Sequence, residues 1–212
     1  VDLGTTQVKA GIFTADGSQV CSASQGNYRI ISEHPNWAEQ NAEIWWNDTA
    51  SVIRKVLQQG AIPADEIACI SVSSQGMAML PLDEQNRPLS NAHIWMDRRG
   101  VEETAFLVDA LGSDYIKEHF GAYADPYYQV MNVFWLKRNQ PDLYARTKHV
   151  VKANTYLNLK LTGKLAIDPT QAVMSLGYDI LTGEWSESMS AAMDIPLSDL
   201  FPEVKNADEI LV

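Results

Sequence analysis

An α/β fold with a mixed sheet is the class that the sequence predicts, on two observations. Apolar segments of alternating pattern come first and pair as antiparallel hairpins, and afterwards short strands alternate with segments of helical periodicity. Turn and stop signals at Asp16-Gly17, Gly60, Gly112-Ser113, Pro141 and Gly163 divide them.

The elements follow in order. Val8, Ala10 and Ile12 alternate with Lys9, Gly11 and Phe13, and Asp16-Gly17 turns the chain into a strand over Gln19 to Ser24. Asn41 is placed to cap a helix whose apolar face is Ile44, Trp45, Val52, Ile53, Val56 and Leu57, with Gly60 ending it. A buried strand is expected at Ala68 to Ser71, then the loop SSQGM, then a strand from Ala78 to Leu82. His93, Ile94 and Trp95 form a short apolar segment, and Asp97 is placed to cap a helix beginning near Arg99. Val101 to Phe120 reads as two helices broken at Gly112-Ser113, Met131 to Asn139 as a third, His149 to Val151 as a strand and Thr155 to Thr162 as a helix.

Composition narrows the function classes. The 212 residues correspond to one large domain or a domain with an appendage, and 46% hydrophobic content supports a sizeable core. A net charge of −11 argues against nucleic-acid and anionic-membrane surfaces, which need clustered positive charge. No run approaches the length of a membrane span, and no signal peptide is visible. Cys21 and Cys69 lack metal spacing and lie in apolar runs, so buried free thiols in a reducing cytoplasm are expected. The four histidines, His34, His93, His119 and His149, share no ligand spacing, so no histidine metal site is assigned. Trp45 and Trp46 read as packing residues.

The opening VDLGTTQVKAGIFTADG carries the chemistry. An acidic residue at the end of a short strand precedes Gly-Thr-Thr, where Gly4 lets the backbone approach a ligand and Thr5 and Thr6 add hydroxyls beside backbone N–H groups. Asp2 is suited to hold Mg²⁺ that binds a phosphate. A plain hairpin turn is the alternative reading of these few residues.

Six blocks decide between the two: VDLGTTQVKAGIFTADG, HPNWAEQNAEIWW, ISVSSQGMAMLPLDEQNRPLSNAHIWMDRR, FWLKRNQPDLYAR, YLNLKLTGKLAIDPTQA and GYDILTGEWSESM. In this order and spacing, across nearly the whole chain, they resemble the FGGY carbohydrate kinases, and the third block looks most like the xylulokinase and L-xylulose kinase branch. The chain departs from the resembled pattern at Gln129 and Asn132, where Pro, Ser or Thr and then Lys are usual, and at Asn154-Thr155, where Lys-Asp is frequent. Where the glycerol kinase branch has an Arg-Glu pair, this chain has Gly76-Met77.

The resemblance implies an RNase H-like, actin-like ATPase fold for residues 1–212 as an amino-terminal, sugar-binding domain. The chain is read as trimmed at its start, with the nucleotide-binding domain and the general base beyond Val212. It implies ATP and Mg²⁺ as cofactors, with Asp2 serving the metal and phosphate, Gly4, Thr5 and Thr6 lining the phosphate site, and Lys9 near the outer phosphates. For the sugar it implies Gln75, Gly76 and Met77 on a loop after a strand, Trp95 as an apolar plate, Asp97 as acceptor of hydroxyls, and Tyr127 as a further aromatic contact. Arg98 and Arg99 stand between a phosphate or sugar contact and a salt-bridged surface. The expected partner is a small sugar or polyol, a ketopentose such as xylulose favoured, with no nucleic acid and no membrane; a homodimer stays open. The rival classes are a non-enzymatic actin-like or Hsp70-like nucleotide switch and a sugar-binding fragment without catalysis.

Overall fold

A computed structural model describes residues 1–212. The amino-terminal part comprises β1 (Asp2–Leu3), β2 (Val8–Phe13), β3 (Gln19–Gln25), β4 (Glu39–Gln40), α1 (Ala42–Gly60), β5 (Ser73–Ser74), β6 (Leu80–Leu82) and β7 (Ala92–His93). There follow α2 (Val101–Leu111), α3 (Ser113–Phe120), α4 (Gln129–Asn139), α5 (Pro141–Arg146), β8 (His149–Val151) and α6 (Ala153–Thr162). The chain closes with α7 (Pro169–Val173), β9 (Tyr178–Asp179), β10 (Glu184–Trp185), α8 (Glu187–Met193) and α9 (Leu197–Leu200).

The main sheet runs β3-β2-β1-β5, antiparallel except for the parallel β1–β5 pair, so it is mixed as the sequence predicts. Three two-stranded ribbons, β4–β7, β6–β8 and β9–β10, stand beside it. The pleat of β6–β8 divides two hydrophobic cores. Leu80, Leu82 and Val151 turn to the first, with Leu3, Val8, Trp45, Val52 and Val56. Met79 and Val150 turn to the second, built by Leu107, Ile116, Phe120, Met131 and Met189.

Helix α1 begins where expected, the Asn41 side chain accepting from the Glu43 N–H at 2.8 Å. Its buried face is Ala42, Trp45, Thr49, Val52 and Val56, while Ile44 stays exposed. Gly60 belongs to the helix, and the left-handed stop is Ala61 at φ 50°. Gly60 answers a different need: a Cβ there would stand 3.0 Å from Cys21 Sγ, so it lets α1 close on β3.

Residues 68–71 do not form the expected buried strand. The strand is the shorter β5, whose Ser73 N–H donates to Val1 O and whose follower Gln75 donates to Leu3 O at 2.7 Å. The parallel register Asp2↔Ser73 leaves residues 68–71 without a ladder partner among residues 1–212, and there Ile70 and Cys69 are exposed. Neither cysteine is fully buried within residues 1–212: Cys69 is exposed and Cys21 half-buried, its thiol donating to Val56 O. Helix α2 starts two residues later than expected, at Val101, and Asp97 does not cap it; Gly100 occupies the cap position without a side-chain bond. No helix is long and apolar enough to cross a membrane.

Candidate active site

β1 and β5 lie side by side and both end in loops on the same edge of the sheet, which is where the expected ligand residues gather. The register sets Asp2 opposite Lys9 on one side and Ser73 on the other, and directly paired residues share a face. Asp2 and Lys9 are both exposed and neither forms an ion pair. Just beyond, the 4–7 turn closes through Gly4 N–H to Gln7 O at 2.9 Å, and neither the Thr5 nor the Thr6 N–H donates to a backbone carbonyl. Two free amides, hydroxyls and an unpaired carboxylate suit a phosphate and a Mg²⁺ ion, which takes one or two carboxylates and leaves its remaining positions to water and phosphate oxygens.

A hydrogen-bonded chain joins this turn to the residues read as sugar contacts. Trp95 Nε1 donates to Thr5 Oγ1 at 3.0 Å, and the indole itself stays 48% exposed, leaving ring surface open beside the turn. Gln40, on β4, is the hub. Its Nε2 donates to Thr5 O at 2.8 Å, while its Oε1 accepts from Gln75 Nε2 at 3.0 Å and from Trp45 Nε1 at 3.1 Å. Gln75 is buried and its Oε1 has no partner within the chain. A buried amide oxygen without a donor is costly, and a substrate hydroxyl is the kind of group that satisfies it.

Gly76 and Met77 shape the same loop without adding polar atoms. A Cβ at Gly76 would come 2.7 Å from Met174 Cε, so the glycine admits α7's flank against the loop. Met77 sits at φ 57°, a left-handed conformation that a non-glycine residue adopts at some cost and that concentrates at ligand-binding loops. Its side chain packs on the second core.

Asp97 is placed differently from the other sugar-site candidates. It is fully buried, and both carboxylate oxygens are occupied. Oδ2 accepts from the Ala38 N–H at 2.7 Å, and Arg99 donates to both oxygens through Nε and to Oδ2 through Nη2 at 2.8 Å. Arg99 also reaches Glu39 Oε1 at 2.6 Å and lies 3.8 Å over the Trp37 ring. Of the Arg98-Arg99 pair, only Arg98 belongs to the surface, forking onto Asp125 at 2.9 and 3.2 Å. Asp125 in turn accepts from the Tyr127 N–H at 3.3 Å, and the Tyr127 ring packs tilted against the buried Tyr128 at 4.5 Å between centroids. Tyr127 is thus tied to the Arg98 flank and not to the Gln40 chain.

The departure at Asn132 has a structural partner. Its Oδ1 faces His93 Nδ1 at 2.9 Å, and its Nδ2 donates to Pro126 O and Tyr128 O. A buried imidazole thus occupies the neighbourhood of that position, and burial and the adjacent Arg99 push its pKa down to about 4. No three His, Cys, Asp or Glu side chains are arranged to hold a metal among themselves. Sequence reading missed Gln40, Glu39 and Trp37 as organising residues, although the block HPNWAEQN contained all three.

The whole chain, residues 1–212, matches the model of the FGGY family of carbohydrate kinases, N-terminal domain. A glycerol kinase of Janthinobacterium sp. (strain Marseille) is 32% identical over 96% of this chain and 42% of its own length. A glycerol kinase of Shewanella sp. (strain ANA-3) is 31% identical over 97% of this chain and 42% of its own. Among solved structures, ligand-bound xylulose kinase from Lactobacillus acidophilus superposes with a TM-score of 0.91 at 23% identity, covering all of this chain and 42% of that one. Plasmodium falciparum glycerol kinase with ADP superposes at 0.87 and 24% identity, over 96% of this chain and 42% of that one. The chain spans less than half the length of these relatives, and it belongs to the FGGY family of carbohydrate kinases.

Proposed function

We propose that the protein containing this chain transfers the γ-phosphoryl group of ATP to a hydroxyl of a sugar or polyol. The observation that carries this reading is the hydrogen-bonded path Thr5–Gln40–Gln75, with Trp95 bonded to Thr5, which ties a phosphate-suited turn to a loop with an unsatisfied buried acceptor. Phosphoryl transfer depends on positioning and charge neutralisation, and one scaffold that fixes both substrates relative to each other supplies that. Mg²⁺, held by Asp2 and the phosphates, would neutralise charge on the transferred group. Thr5 and Thr6 amides would orient the phosphate, Gln75 Oε1 would accept from a hydroxyl, and the exposed Trp95 face would cover C–H groups of the sugar. Asp97 then positions the site from behind, by fixing Arg99 and the Ala38 amide. We place the adenosine site and the general base in the remainder of the protein, a reading supported by the 42% share of the relatives that this chain covers.

For the substrate we favour a ketopentose such as xylulose. Gly76 and Met77 put no charged side chain on the loop, unlike the Arg-Glu pair of the glycerol kinase branch. Glycerol is the second reading, because curated relatives at 31–32% identity are glycerol kinases. A coupled assay of ADP release by the full-length protein with D-xylulose, L-xylulose, gluconate and glycerol tests this. Ketopentose turnover is expected to lead; glycerol in first place would overturn the substrate assignment, and no sugar-dependent ADP would overturn the reaction.

A further inference from the structure

Away from the Thr5 turn, a cleft of about 480 Å³ opens beside β4 and the 88–91 turn, with His93 and Arg99 among its lining residues. His93 is 3% exposed. Because Asn132 uses its Nδ2 on two carbonyls, its Oδ1 faces the imidazole, so His93 Nδ1 carries the proton and Nε2 presents a lone pair. That Nε2 has no hydrogen-bond partner and lies 3.9 Å from Glu39 Oε1. Each of these two acceptors calls for its own donor hydrogen; a hydroxyl carries one, so two neighbouring hydroxyls, or a hydroxyl and a water, serve the pair.

The donors and acceptors around this gap define a ligand class. Arg99 gives Nε and Nη2 to Asp97 and Glu39, leaving Nη1 without a protein acceptor. Asn41 spends its Oδ1 on the α1 cap and leaves its Nδ2 free. Acceptors interleaved with donors suit hydroxyls, each of which both gives and takes a hydrogen bond. Glu33 and Glu43 at the rim repel anions, and Arg99, already touching Glu39, disfavours an ammonium group beside it.

We propose that this cleft binds a neutral polyhydroxy compound, a polyol or uncharged sugar, at a second site distinct from the Thr5, Gln75 and Trp95 site. The two sites meet on β4, where Glu39 lines the cleft and its neighbour Gln40 holds Thr5 and Gln75. The imidazole is neutral at pH 7, since its pKa is pushed down to about 4, so its lone pair is available throughout the physiological range.

The test is read at His93 itself, without ATP, and so is independent of whether the protein transfers phosphate. Nitrogen NMR of ¹⁵N-histidine-labelled full-length protein follows the unprotonated Nε2 while xylitol, putrescine or gluconate is added to about 100 mM, roughly a hundredfold above a millimolar dissociation constant. A saturable Nε2 shift with xylitol is expected. It should persist in Trp95→Ala, which alters the first site, and vanish in Ser90→Trp, which fills the cleft. D-xylulose in a second arm separates the protein's own favoured substrate from other polyols as the source. No saturable xylitol shift, a larger response to putrescine or gluconate, loss of the response in Trp95→Ala, or an undiminished response in a folded Ser90→Trp would each overturn the proposal.

Discussion

Gln40 and Gln75 share a buried amide–amide hydrogen bond of 3.0 Å, and Gln40 passes that contact on to the carbonyl of Thr5 at 2.8 Å. The phosphate-suited turn and the loop proposed to take the substrate are thereby fixed to each other by one side chain. Its position on β4, between the cleft-lining Glu39 and the cap Asn41, leaves that side chain little freedom to relax.

Gln40→Leu should therefore lower both stability and catalysis. It orphans Gln75 Nε2 and Trp45 Nε1, and leaving buried polar groups unpaired costs about 1–3 kcal/mol each. The expected kinetic outcome is a drop in kcat/KM of roughly tenfold or more, as both substrates lose their fixed separation. Steady-state kinetics with both substrates checks it; unchanged kcat/KM in a folded variant would show that the link is idle.

Asp97→Asn should act on stability first. The carboxylate is fully buried against Arg99, and removing one member of a buried pair costs about 3–5 kcal/mol. Urea unfolding should show that loss, with the KM for sugar moving little in whatever remains folded at low temperature. If stability holds and the sugar KM rises strongly, Asp97 touches the substrate after all.

Lys152 gives the fold a pH signature. Its ammonium is fully buried without a hydrogen-bond partner, and burial pushes its pKa down from 10.5 to about 7. Between those values the unfolded chain holds a proton that the folded chain lacks, so stability must rise with pH from about 7 towards 10.5. Below pH 7 the folded protein carries the whole cost of burying the charge, on the order of a few kcal/mol. Lys152→Met should stabilise the protein more at pH 6 than at pH 9. An equal effect at both pH values, from chemical denaturation, would contradict this account.

His93 works in the opposite part of the scale. With its pKa pushed from 6.5 down to about 4, the unfolded chain binds a proton that the folded one resists, so stability is lost as pH falls through that window. His93→Gln should flatten that acid limb without altering the limb above pH 7 that Lys152 produces.

Much of this was legible in the sequence where local pattern suffices. The β2–β3 hairpin, the Asn41 cap and the gathering of Thr5, Gln75 and Trp95 on one flank follow from alternation, capping chemistry and ordered motifs. What was not legible depends on non-local geometry. Asp97 preceding a helix reads as a cap, yet Arg99 folds back onto it and Ala38 arrives from another loop. Asn132 looks like a lost lysine until His93 is seen against it.

Asp2→Asn in the full-length protein is the most direct test of the central claim that the Gly4-Thr5-Thr6 turn and its neighbouring carboxylate handle metal-bound phosphate. Steady-state kinetics should show turnover reduced by about a hundredfold or more, since positioning a catalytic metal is worth several kcal/mol. The KM for the sugar should be nearly unchanged, because the Gln75 and Trp95 contacts remain. Wild-type turnover in this variant would contradict the account.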